Sequence, residues 1–219
     1  MLFSGIPIMM QSNDRADMKM GNDIGTQSSV SVCSVSAQSE ADMKILGAIA
    51  YRDGQGVDPL ITGVVQVLRA EGVAVCGVLQ HETANPGNCC ASMYLENISN
   101  GVHLRLSQEL GSGSQGCRLN PHILAESSGQ LLLEMNEHPD LLVLNRFGKG
   151  EAEGHGFRAV LEKAYQLQIP VLIGGKETYR SAWDDFSGEF SRALKVDSRS
   201  VLTWCMKAIT EKRRLTDDT

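Results

Sequence analysis

The stretch "YRDGQGVD", Tyr51 to Asp58, lies between an apolar run and a helix-like one, and its reading decides the fold. Before it, "KILGAIAYR" from Lys44 is short and nearly continuously apolar, as expected of a strand buried on both faces. After it, "DPLITGVVQVLRAEG" sets Leu60, Val64, Val67 and Leu68 at helical spacing. Asp58 is the expected N-cap, Pro59 suits the first helical position, and Gly72 suits the stop. "VAVCGVLQ" then reads as a second buried strand. Strand, glycine loop, helix and strand together make one right-handed parallel crossover. A glycine loop opening onto a helix is also how many phosphate-binding sites begin.

The rest of the chain continues the alternation. "ASMYLENISNGVHLRLSQEL" holds two alternating runs joined by a turn at Asn100-Gly101, an antiparallel hairpin. A glycine-rich loop, "GSGSQGCRLN", leads into a helix that Asn120 caps and Pro121 opens. "DLLVLN" is the third core strand, and Phe157, Val160, Leu161, Ala164 and Tyr165 mark the next amphipathic helix. "IPVLIGG" is a further strand, and "ETYRSAWDDFSGEF" and "SRSVLTWCMKAI" read as terminal helices. The pattern predicts an α/β fold of three layers, with a mostly parallel sheet and an antiparallel hairpin insertion. Residues 43–210 form the single domain of this reading. Residues 1–42, rich in Ser, Met, Gln, Asn and Asp, read as a disordered tail, and 211–219 as a charged, solvated end.

Of 219 residues, 42% are hydrophobic and 21% charged, the balance of a globular domain with a substantial core. The net charge of −6 argues against a general nucleic-acid binder. No apolar run reaches the length of a membrane span, about 18 residues. Six cysteines, at 33, 76, 89, 90, 117 and 205, contain no CxxC pair. With no basic n-region before "MLFSGIPIMM", the expectation is a cytoplasmic protein with reduced thiols.

Tested against the phosphate loop GxxxxGK[ST], with Gly56 on the second glycine, the opening stretch loses its chemistry. Tyr51 falls on the first glycine, Val57 on the lysine and Asp58 on the Ser/Thr. The ammonium for the outer phosphates is absent, and a carboxylate replaces the magnesium-binding hydroxyl. Asp53 and Asp58 would repel a polyphosphate unless a metal lay between them.

Functional groups in open parallel sheets gather beyond the carboxyl ends of the strands. Those exits carry Arg52, Asp53, Gly54 and Gly56; Gln80 and His81; Asn145, Arg146, Gly148, Lys149 and Glu151; and Gly174, Gly175 and Lys176. Such an edge suits a small anion, a phosphorylated ligand or an oxyanion. Arg52, Arg118, Arg146 and Lys149 would supply charge, and Gly54, Gly56, Gly111 and Gly113 would let backbone N–H groups approach. Gln80 and Asn145 would orient the ligand by hydrogen bonds. His81, Cys89 and Cys90 share one loop and are a candidate soft-metal set, although their spacing matches no zinc pattern. Cys117 beside Arg118 is either an activated thiol or a small buried side chain. His155, between two glycines, is either a general acid or a capping histidine.

The segments "GVLQH", "LSQELGSGSQGCRLNP" and above all "DLLVLNRFGKGEAEGHGF" resemble the bacterial domain-of-unknown-function family 2478, over about residues 44–190. That family is similar in layout to P-loop nucleoside-triphosphatases. It typically has lysine where Arg146 stands and an acid where Asn120 stands, so charge and capping oxygen are kept. In active enzymes of this layout the strand matching "LLVLN" ends in an acid that holds magnesium, often followed by one that orients water. The resemblance puts Asn145 and Arg146 at those places, and Glu151 or Asp53 would have to substitute in any hydrolysis, with Mg²⁺ present only if a nucleotide binds. Family members are sometimes labelled with molybdate transport, which fits an oxyanion-binding edge. Four readings stay open: an anion binder with weak or no hydrolysis, a divergent nucleoside-triphosphatase, a molybdate- or metal-handling protein, and a ligand-free partner-binding module.

Overall fold

The computed structural model describes residues 44–52, 56–83, 92–108 and 118–217. The expected tail, Asp53, Gly54, Cys89, Cys90, Gly111, Gly113 and Cys117 lie outside these residues. Strand β1 (Leu46–Tyr51) leads to helix α1 (Val57–Ala70), and β2 (Val75–Thr83) follows. The hairpin is β3 (Ser92–Asn97) and β4 (His103–Arg105); short strands β5 (Ser107–Gln108) and β6 (Arg118–Leu119) pair beside it. Then come α2 (Pro121–Glu134), β7 (Leu141–Phe147), α3 (Lys149–Ala152), α4 (Arg158–Gln166) and β8 (Val171–Lys176). Helix α5 (Arg180–Ser187), β9 (Ser191–Leu194) and α6 (Ser198–Asp217) complete the order.

The main sheet runs β4-β3-β2-β7-β8-β1-β9. Strands β2, β7, β8, β1 and β9 are mutually parallel, and β3 and β4 are antiparallel. The three-layer α/β fold with its hairpin insertion is therefore as expected. The first four residues of β7 show why that part of the strand is uniformly apolar. Leu141 and Val143 enter the core under α1 and α6, while Leu142 and Leu144 enter the core under α2, α4 and α5. With successive side chains on opposite faces and both faces covered, none of these four positions is left for a polar residue.

Two capping expectations have different outcomes. Asn120 caps α2, its side chain accepting from the His122 N–H at 3.0 Å, with Pro121 first in the helix. Asp58 does not cap α1. The helix starts two residues earlier, with Gly56 at the cap and Val57 first, and the Asp58 carboxylate is drawn to β7 instead. Gly72, at φ +76°, ends α1 as expected, a conformation that disfavours any side chain.

The last third differs from its sequence reading. "SRAL" forms β9 beside β1, a strand in the short stretch between the two segments that read as helices, since four residues carry too little periodicity to declare it. The charged C-terminal end continues α6 through Asp217 and is only partly solvated. Lys212 is buried and donates to the carbonyls of His138 and Pro139, at 3.0 and 2.8 Å, and Arg213 forks onto Asp140. Among the described residues no helix is long and apolar enough to cross a membrane.

Candidate functional site

Strands β2 and β7 run in parallel register as far as Val78 opposite Leu144. Beyond that pair the Asn145 side chain continues the ladder. Its Oδ1 accepts from the Gln80 N–H at 2.7 Å, and its Nδ2 donates to the Gln80 carbonyl at 2.8 Å. On the other side β7 loses register with β8 between Leu144 and Phe147. Gly174 permits this: a Cβ there would stand 2.5 Å from the Asn145 carbonyl oxygen. The side chains at the end of "LLVLN" are thus turned inward by a strand irregularity, and Asn145 is only 2% exposed.

The same amide reaches α1. Asn145 Nδ2 also donates to Asp58 Oδ1 at 2.9 Å. Arg146 Nη2 donates to Asp58 Oδ2 at 2.8 Å and to Glu82 Oε1 at 2.9 Å. Asp58, Glu82, Asn145 and Arg146 form a closed network in which two carboxylates face one guanidinium. Arg146, expected as a ligand cation, has its charge directed into this network. Gln80 and Asn145, expected to orient a ligand, hold each other.

Glu151 is equally committed. It is 8% exposed; Oε2 accepts from the Gly148 N–H at 2.9 Å and Oε1 from the Phe157 N–H at 3.0 Å. Gly156 takes φ +61°, and a Cβ there would run into Glu151 Oε1. The glycines of "GKGEAEGHG" let the loop fold over a buried carboxylate that staples α3 to the start of α4. Lys149 stays outside, its side chain 73% exposed and 3.7 Å from Glu153.

These groups border a cleft of about 960 Å³. Gln80, Glu82, Asn145, Arg146, Lys149, Glu151, His155 and Lys176 line its polar end, and α2 forms the opposite, mainly apolar wall. Sequence reasoning missed Glu82 and the α2 wall; the signal for the wall was Gly129, a glycine inside a helix. Arg52 is exposed at the end of β1. Arg118 stands on β6, paired with Gln108 on β5. His81 lies 2.7 Å from Glu96 on the neighbouring strand. Among the described residues no three His, Cys, Asp or Glu side chains converge as a metal set. Burial pushes the thiols of Cys76 and Cys205 up to about 12, far from nucleophilic range.

The most specific stretch of the sequence is thus the loop stapled by Glu151, and it lies within residues 46–204, which match the family model described as "Protein of unknown function (DUF2478)". The chain belongs to that family. It is 29% identical over 179 residues to a protein of Bradyrhizobium diazoefficiens named "Molybdenum import ATP-binding protein ModC 2". The match covers 82% of this chain and 20% of that protein, so the chain spans about a fifth of the relative's length. Among solved structures, it is similar to a human cancer-related nucleoside triphosphatase at 18% identity and a TM-score of 0.45, covering 74% of this chain and 94% of that one.

Proposed function

We propose that this protein binds a phosphorylated ligand or oxyanion at the carboxyl edge of its parallel sheet and hydrolyses it weakly or not at all. One observation carries the second half. Asp58, Asn145 and Arg146, which the resemblance puts where a nucleoside-triphosphatase of similar layout would need metal ligands and a water-orienting acid, are bonded to one another. A guanidinium and an amide stand against the carboxylate where a divalent ion would stand. Glu151, the nearest substitute, has a backbone donor on each oxygen. Charge toward a ligand comes from Lys149 and Lys176 in the cleft, with Arg52 and Arg118 on the flanking segments.

A second reading draws support from the curated relative, whose printed name couples ATP binding with molybdenum import. On that reading the anion is molybdate. Thermal melts against nucleotides, phosphate, sulfate and molybdate, each with and without Mg²⁺, separate the two. A ligand at about one hundred times its dissociation constant adds about 2.7 kcal/mol, a clear shift. Stabilisation by phosphorylated ligands without Mg²⁺, and no phosphate release, is the expected result. Magnesium-dependent release of phosphate would overturn it, and stabilisation by molybdate alone would select the second reading.

A further inference from the structure

The cleft is much larger than a bare oxyanion needs, and most of its wall is apolar. We infer that its ligand is an anion with an apolar body, an aryl or acyl phosphate or carboxylate. This rests on the anion-binding reading above and narrows it. At about 960 Å³ the cleft is near the top of the small-molecule range, roughly 300–1,000 Å³, and a tetrahedral oxyanion would leave most of it to water.

The space has a cause in the sequence. Helix α2 turns Ala125, Ser128 and Gly129 toward the cleft, three small residues at i, i+3 and i+4. Large side chains there would close the helix onto the sheet. Instead a trough remains, and a Cβ built on Gly129 meets nothing within 4 Å. Its floor is apolar, formed by Leu95 and Leu144, and Leu119 stands at the rim 44% exposed. Such surface gains from contact with an apolar body and offers a hydrated oxyanion nothing.

The opposite end is polar. Among the described lining residues, Arg146 is shared between Asp58 and Glu82, and Glu151 is held by backbone N–H groups. Lys149 and Lys176 line the same end, and the contact of Lys149 with exposed Glu153 is long enough to yield to a ligand. The anionic group of the reading above would meet these lysines, while the apolar trough discriminates against a bare oxyanion.

The test compares inorganic phosphate, 1-naphthyl phosphate and 1-naphthylmethylammonium by calorimetry on the full chain. Naphthyl phosphate is expected to bind at least tenfold more tightly than phosphate, and the ammonium not to bind. Gly129→Leu, which fills the trough, and Ala125→Gln, which puts a longer neutral side chain on the same wall, should each weaken naphthyl phosphate tenfold or more and leave phosphate unchanged. Both preserve helix-forming character, and circular dichroism checks that they fold. Equal affinity for phosphate and naphthyl phosphate would overturn this inference and leave the anion-binding reading intact. So would indifference to both substitutions. Binding of the ammonium as tightly as the phosphate ester would overturn the charge selection, and failure of every anion would overturn both readings.

Discussion

Asn145 donates from one side-chain nitrogen to the carbonyl of Gln80 and to the carboxylate of Asp58, 87 residues away in sequence. This pair ties the first turn of α1 to the end of β7, and Arg146 closes the tie from the next residue through Asp58 and Glu82. The first acid of α1 is therefore already engaged from within the protein. An anion reaching this edge meets a site whose nearest positive charge is committed, which is why the lysines at the rim matter.

Asn145→Asp replaces a double donor with an acceptor facing a carbonyl and a carboxylate. The variant is expected to lose about 2 kcal/mol or more in urea unfolding, from unsatisfied buried groups and like-charge repulsion. Adding Asp58→Asn should restore part of the loss, and the double-mutant cycle should give a coupling of about 1 kcal/mol or more. Strict additivity would show that the two side chains do not interact.

Glu151 offers a separation of structural from catalytic roles. Glu151→Ala removes the partner of two backbone N–H groups in a buried loop and is expected to cost about 3 kcal/mol. Gly156→Ala should destabilise the same loop, because its positive φ and its contact with Glu151 both exclude a Cβ. If Glu151→Ala melts like the parent, the carboxylate is not the staple, and a chemical role would regain ground.

The strands and helices that were legible in the sequence are those whose periodicity is unbroken. Leu141 to Leu144 announce a doubly covered strand, and Pro121 after Asn120 announces a helix start. Strand β9 was not legible, because it exists by pairing with β1 and not by local pattern. The site was half legible. That polar residues gather at the strand exits follows from topology, so Asn145, Arg146, Lys149 and Glu151 could be named from sequence alone. Their engagements could not, since Asp58 and Asn145 meet only once the sheet has brought the start of α1 to the end of β7. Glu151 looked like spare chemistry because nothing in "GKGEAEGHG" reveals that its carboxylate turns back onto Gly148 and Phe157.

Gly47 on β1 lies beneath the indole of Trp204 on α6, and a Cβ there would stand 2.6 Å from the ring. Only a residue without a side chain lets the tryptophan lie against the strand. Gly47→Ala should displace the ring, cost about 1–3 kcal/mol, and shift tryptophan emission to the red. Unchanged emission and stability would mean that α6 accommodates the methyl group without moving.

The junction of α6 with the turn before β7 should carry part of the acid sensitivity. Asp140 receives Arg213 at 2.9 and 2.6 Å and the Ala74 N–H at 2.9 Å. The hydrogen-bonded Arg213 guanidinium holds its carboxyl below the usual range; burial opposes this, and the Ala74 N–H supports it. A carboxyl whose folded pKa is depressed contributes stability that is fully present above its unfolded value, about 3.9, and is lost as pH falls through the folded value. Because Arg213 is half exposed, solvent screening keeps the contribution to about 1 kcal/mol or less. Asp140→Asn should therefore lower stability at pH 7, and its difference from the parent should shrink as the pH drops from 5 to 2. Urea midpoints across that range are the measurement, and a difference that stays constant in acid would show that the Asp140 charge contributes nothing.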